Sequence, residues 1–137
     1  MGLDFRHYDR PDGHYCPQWA YSGFNRFRAR LAASEGFDLN EMQGFSNGNY
    51  FDGDYVPGTR FWDEVDTPLK SLLDHSDCEG ELSSEECAQV APRLREVAAG
   101  WPTEGVAMAD SFDYQGALAL AECMELCAAS GNELLFR

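Results

Sequence analysis

From Ser111 or Phe112 to Ser130 the chain is apolar on nearly every side of a helix, and the run stops at Gly131. A helix with so little polar surface must be covered by the rest of the molecule. The sequence therefore predicts a central C-terminal helix with the other elements packed around it. Three further helices are expected. Phe24, Phe27 and Leu31 recur at helical spacing, with Ser22 as a cap and Gly36 as a left-handed stop. Thr67-Pro68 opens a short helix whose apolar face is Leu69, Leu72 and Leu73. Ser83 and Glu86 form a capping box ahead of Cys87, Val90, Ala91, Leu94 and Val97. Pro92 removes a backbone donor and is expected to kink or split that helix, which Gly100-Trp101-Pro102 ends.

Strands are expected at both ends. Leu3, Phe5 and His7 alternate with Asp4, Arg6 and Tyr8, the period-two pattern of a half-buried strand. Arg10-Pro11-Asp12-Gly13 has turn composition, and Cys16-Pro17 follows as an extended segment. Leu134-Leu135-Phe136 closes the chain, and pairing with Leu3-Asp4-Phe5 would tie the terminal strands into one antiparallel sheet. Between Gly36 and Asp66, glycines, asparagines and aromatics without helical period predict a long loop or irregular hairpin, with a strand-turn-strand centred on Asp52-Gly53. At 137 residues and 44% hydrophobic composition, the fit is a single domain, residues 1–137. The fold class expected is α+β: a small antiparallel sheet, from the N- and C-terminal strands plus the middle hairpin, packed against three to four helices.

Charge is distributed unevenly. The net charge is −14, yet the stretch through Arg30 carries five basic and three acidic residues, against five basic and 21 acidic from Leu31 onward. Such a field repels phosphate backbones and disfavours direct nucleic-acid binding. A basic protein partner is the expectation, and the competing one is acidity that serves only solubility. Without an apolar stretch of bilayer-spanning length or an export-type h-region at its start, the chain is expected to be cytoplasmic and away from membranes. The oligomeric state is left open.

Asp74-His75-Ser76-Asp77-Cys78-Glu79-Gly80-Glu81-Leu82-Ser83-Ser84-Glu85-Glu86 spaces oxygen donors around one glycine. The segment resembles an EF-hand calcium loop, with Gly80 at the sharp turn, Leu82 at the aliphatic position and Glu86 at the last ligand position. The resemblance implies a Ca2+ or other hard-cation site built from Asp74, Asp77, Glu79, Glu81, Ser83 and Glu86. It departs from the pattern at the first position, where His75 stands in place of a carboxylate, and no second loop accompanies it. The competing reading is a tight polar turn with Ser83 capping the next helix. Zinc is a further alternative, through His75 and Cys78 together with Cys123 and Cys127, four apart on one helix face. Five cysteines without regular spacing are expected to be reduced, small core residues.

No nucleophile elbow, phosphate loop or dinucleotide fingerprint occurs, and His7, His14 and His75 stand in no catalytic pattern, so a non-enzymatic protein is expected. A pairing of His14 with Cys16, two residues away, is the one nucleophilic alternative. Arg26 and Arg30, four apart, offer an anion- or carboxylate-holding patch or a solvated helix face. In the middle segment, Tyr50, Asp52, Asp54, Tyr55 and Trp62 are the candidate partner-binding residues, and the aromatics Tyr50, Phe51, Tyr55, Phe61 and Trp62 either present a sticky surface or plug the domain's own core. Through His75-Ser76-Asp77-Cys78-Glu79-Gly80-Glu81-Leu82 and Tyr21-Ser22-Gly23-Phe24, the chain resembles small acidic proteins of bacteria and phages, a likeness that implies no particular activity. By charge and size it is similar to phage-borne DNA-mimic inhibitors. The expected role is therefore inhibition or regulation of a basic, nucleic-acid-handling protein, with cation binding as the alternative.

Overall fold

A computed structural model describes residues 2–7, 16–48, 50–76 and 79–136, without the side chains of Asp4, Arg6, His7 and Tyr50. The fold is α+β. Among the described residues six strands, β1 (Gly2–His7), β2 (Gln18–Ala20), β3 (Ser46–Asn47), β4 (Val56–Pro57), β5 (Gly80–Leu82) and β6 (Leu134–Phe136), accompany four α-helices. The helices are α1 (Tyr21–Ser34), α2 (Lys70–Leu73), α3 (Ser84–Ala99) and α4 (Met108–Ser130).

The terminal strands lie in an antiparallel sheet of order β2-β1-β6-β5, while β3 and β4 form their own two-stranded pair. β1 divides its length between two partners. Gly2, Leu3 and Asp4 face Ala20, Trp19 and Gln18, whereas Phe5, Arg6 and His7 face Phe136, Leu135 and Leu134. The closing strand thus pairs two residues later than Leu3-Asp4-Phe5, because β2 occupies the first half of β1. The fourth strand comes from the acidic segment itself, with Gly80, Glu81 and Leu82 opposite Phe136, Leu135 and Leu134.

α4 fills the centre, as its composition requires. Ala117, Leu120, Ala121, Cys123, Met124 and Cys127 are buried on it, against Cys87, Val90, Ala91, Leu94, Val97 and Ala98 of α3. α4 begins at Met108, three residues before Ser111, and ends at Gly131 in the left-handed conformation. An aromatic group closes the space between α1, α4 and the sheet. Trp19 stacks on Phe27 at 4.7 Å, Phe5 meets Phe136 edge-on at 4.7 Å, and Phe24 touches both Phe5 and Trp19. The backbone of Gly116 passes so close to Trp19 that an added Cβ would sit 2.4 Å from the indole.

Three local expectations are corrected. α1 starts one residue ahead of Ser22, with Ala20 at the cap position and no side-chain cap. α3 is not split in two but runs as one helix through Pro92. Pro92 and Ala88, whose carbonyl loses its helical donor, are both exposed, so water can serve that carbonyl. The thiols are not all reduced: Cys16 and Cys123 form a disulfide with Cα atoms 5.9 Å apart, 107 residues apart in sequence. Proximity in space, which spacing along the chain does not encode, joins them. Cys87 and Cys127 remain thiols, buried and hydrogen-bonded to each other, and that contact, with burial, pushes the Cys87 thiol far up.

No helix among the described residues is long and apolar enough to cross a membrane.

Candidate functional site

Residues 38–64 leave the core as an excursion rooted by Leu39 and Met42, both fully buried. Its stem is a set of backbone hydrogen bonds: Gly58 donates to Phe45 at 2.7 Å, Gln43 to Arg60 at 2.8 Å and Arg60 to Glu41 at 2.9 Å. Gly58 passes so close to Met42 that a Cβ would lie 2.0 Å from its carbonyl oxygen, so only glycine fits there. β3 and β4 extend the stem, and a single 3-10 turn, Tyr50–Asp52, forms the tip. The expected Asp52-Gly53 reversal is present, with strands shorter and farther from it than the aromatic pattern implied.

The candidate partner-binding residues separate into two groups. Asp52, Asp54 and Tyr55 are exposed at the tip, as is the backbone turn that begins at Tyr50, whose side chain lies outside the described residues. Trp62 instead anchors the stem: its Nε1 donates to the Gln43 carbonyl at 2.9 Å and its ring meets Phe37 and Phe45 edge-on. Phe51 and Phe61, of the aromatics expected either to face outward or to plug the core, are 95% and 57% exposed, and Val56, which sequence reasoning missed, is 58% exposed. The turn decides between those two orientations, aiming Phe51 outward where a flat strand would have alternated it inward.

Several carboxylates elsewhere are held by arginines. Asp113, buried, accepts from Arg26 Nη2 at 3.1 Å and lies 3.7 Å from Arg30 Nη1, while Arg30 also reaches Asp110 at 3.5 Å. The Arg26/Arg30 patch therefore holds carboxylates of α4 rather than an external anion. Glu35 accepts from Arg93 at 2.6 Å and from Thr67 at 2.6 Å. Partial burial pushes the Glu35 carboxyl upward, but those two hydrogen bonds and the Arg93 charge together bring it below the usual carboxylate value. Arg95 grips Glu125 through two contacts of 2.7 Å, and Glu125 is lowered by them.

In the acidic segment, Gly80 takes a φ of +102° as the turn requires, and then Gly80–Leu82 is strand. The Glu81 carbonyl lies 3.0 Å from His75 Nε2. Ser83 Oγ accepts from the Glu86 amide at 3.1 Å, and the Glu86 carboxylate accepts from the Ser83 amide at 3.0 Å. That backbone bond, foremost, holds the Glu86 carboxyl below its ordinary value. Ser83 and Glu86 are thus engaged in the cap of α3, while Asp74 and Glu79 are exposed. Asp77 and Cys78 lie outside the described residues, as does His14. Among the described residues no group of three His, Cys, Asp or Glu side chains lies close enough to hold a metal ion. Cys123 leaves the zinc set, because its sulfur is bonded to Cys16.

A cleft opens between α1, the root of the excursion and Asp74–Ser76, with Arg28 and Asn25 on one wall and Asn40, Phe45 and Ser46 on another. No protein-family model, curated protein or solved structure matches the chain.

Proposed function

We propose that the protein is a non-enzymatic interaction module whose 50–61 tip docks a basic, partly apolar segment of a protein partner. One observation carries this reading: of the six large apolar side chains exposed among the described residues, Phe51, Tyr55, Val56 and Phe61 belong to one excursion, beside Asp52, Asp54 and Asp63. Between Gly36 and Asp66 the sequence holds seven acidic residues and one basic residue, Arg60. Burying one such aromatic contributes about 2 kcal/mol, and surrounding carboxylates select a cationic partner and speed its approach. Mimicry of a nucleic acid over a whole face draws less support, since Glu35, Glu96, Asp110, Asp113 and Glu125 are paired with arginines. The Cys16–Cys123 bridge favours an oxidising setting over the reducing cytosol.

The test is fluorescence anisotropy with a labelled peptide of alternating arginine and leucine, scanned over salt. Phe51→Ser is expected to weaken binding by roughly tenfold. Asp52→Asn with Asp54→Asn should chiefly flatten the salt dependence. Binding that ignores ionic strength, or that survives Phe51→Ser unchanged, would sink the reading.

A further inference from the structure

Two thiols in the α3–α4 interface belong neither to the docking tip nor to the Cys16–Cys123 bridge. Cys87 stands in the first turn of α3 and Cys127 in the last turn of α4, both 0% exposed. Their side chains are hydrogen-bonded to each other, and a backbone hydrogen bond from Leu134 of β6 also reaches the Cys87 sulfur. Three elements therefore hold the pair together. The contact between the sulfurs raises the Cys87 thiol and lowers the Cys127 thiol, the latter against burial and the Glu133 charge, so Cys127 is the readier of the two to ionise.

A single buried thiol is inert, because reagents do not reach it and nothing beside it resolves what forms on it. A touching pair differs on the second count. Once either sulfur is oxidised the other is already adjacent, and closure is intramolecular at high effective concentration. Sulfurs in hydrogen-bond contact must still close to about 2.05 Å, an approach that draws α3 and α4 together rather than apart. Both cysteines lie at helix ends, where local opening costs least and lets a small reagent in. The Cys16–Cys123 bridge places the chain where disulfides persist and an oxidant is at hand. We propose that Cys87 and Cys127 are an oxidisable pair, which a small disulfide such as oxidised glutathione converts into a second bridge joining α3 to α4. One thiolate of the pair attacks a glutathione sulfur, forming a mixed disulfide and releasing one glutathione. The other protein sulfur then attacks the first and expels the second glutathione. Two protein thiols are oxidised to one disulfide, oxidised glutathione is reduced to two thiols, and the two protons pass to these.

Incubating the whole protein with oxidised glutathione below its melting temperature tests this. Trypsin cuts at Arg93 and Arg95, and a glutamate-specific protease cuts at Glu79 and Glu125, so Cys78, Cys87, Cys123 and Cys127 fall in separate peptides. Non-reducing mass mapping then reads each pairing. A Cys87–Cys127 linkage is expected beside an intact Cys16–Cys123 bridge, with a melting temperature higher by roughly 10 °C. Cys87→Ala and Cys127→Ala should each abolish that rise, and the map of the unsubstituted protein stands without them. Thiols at both positions still open to alkylation after treatment, glutathione retained on either, or a bridge from either to Cys16, Cys78 or Cys123 would overturn the assignment. So would a rise in melting temperature that persists in both alanine variants.

Discussion

The helical block of α1, α3 and α4 and the 38–64 excursion are built from the same kinds of residue put to opposite use. In the block, Phe24 and Phe27 are sealed against Trp19 of β2, and the carboxylate of Asp113, only 1% exposed, is clamped by two arginines. In the excursion, Phe51 stands 95% exposed beside Asp52. The stem explains how this is tolerated. Leu39, Met42 and Trp62 supply the anchoring burial, so the tip need not contribute to stability at all. A chain can display aromatics at low cost when other residues hold the displaying loop.

If the two regions differ in this way, perturbing the block should cost far more than perturbing the tip. The largest loss is expected on reducing the Cys16–Cys123 bridge, which closes a span of 107 residues. Its removal should lower the unfolding free energy by about 4 kcal/mol, measured by urea titration with and without reductant. Next comes Gly116→Ala, whose new methyl would meet the Trp19 ring at 2.4 Å. A loss of about 2 kcal/mol is expected in the same titration, with a changed tryptophan emission.

A smaller effect concerns acid. Glu35, Glu86 and Glu125 have carboxyls held below their ordinary value of 4.5, so each contributes stability above that value that is lost as pH falls through its folded value. Asp74, raised, works in the opposite sense. The melting temperature should fall below about pH 4.5, and Glu35→Gln should make that descent shallower by removing one titrating group. Smallest of all, Phe51→Ser should change stability by less than about 0.5 kcal/mol while it weakens peptide binding. A large destabilisation would mean that the tip is structural after all and would erase the contrast between the two regions.

What was legible in the sequence follows the same division. Where a local rule acts alone the expectation mostly holds, in the Ser83–Glu86 capping box, in Gly131 as the stop of α4 and in the alternation of Leu3 and Phe5, although Ser22 does not cap α1. Where partners distant in sequence decide, it does not. The register of β6 depends on β2 having taken half of β1, and β5 is a strand only because β6 offers an edge. Trp62 has the composition of a docking residue, yet Gln43 and Phe37 turn it inward. The cleft left no trace in the sequence, since Asn25, Arg28, Asn40 and Asp74 share no spacing rule and meet only in the folded chain.

The placement of the sulfur atoms has a consequence for how the molecule survives heating. Folded, the thiols of Cys87 and Cys127 are shut away from water in the α3–α4 interface. Once the chain opens, they become nucleophiles in the same molecule as an exchangeable bond, and their attack on it is faster the more thiolate is present. Melting at neutral or alkaline pH should therefore leave shuffled connectivities that cooling does not undo, whereas melting in acid, with the thiols protonated, should reverse cleanly. The chain's thermal past would be written in its covalent bonds.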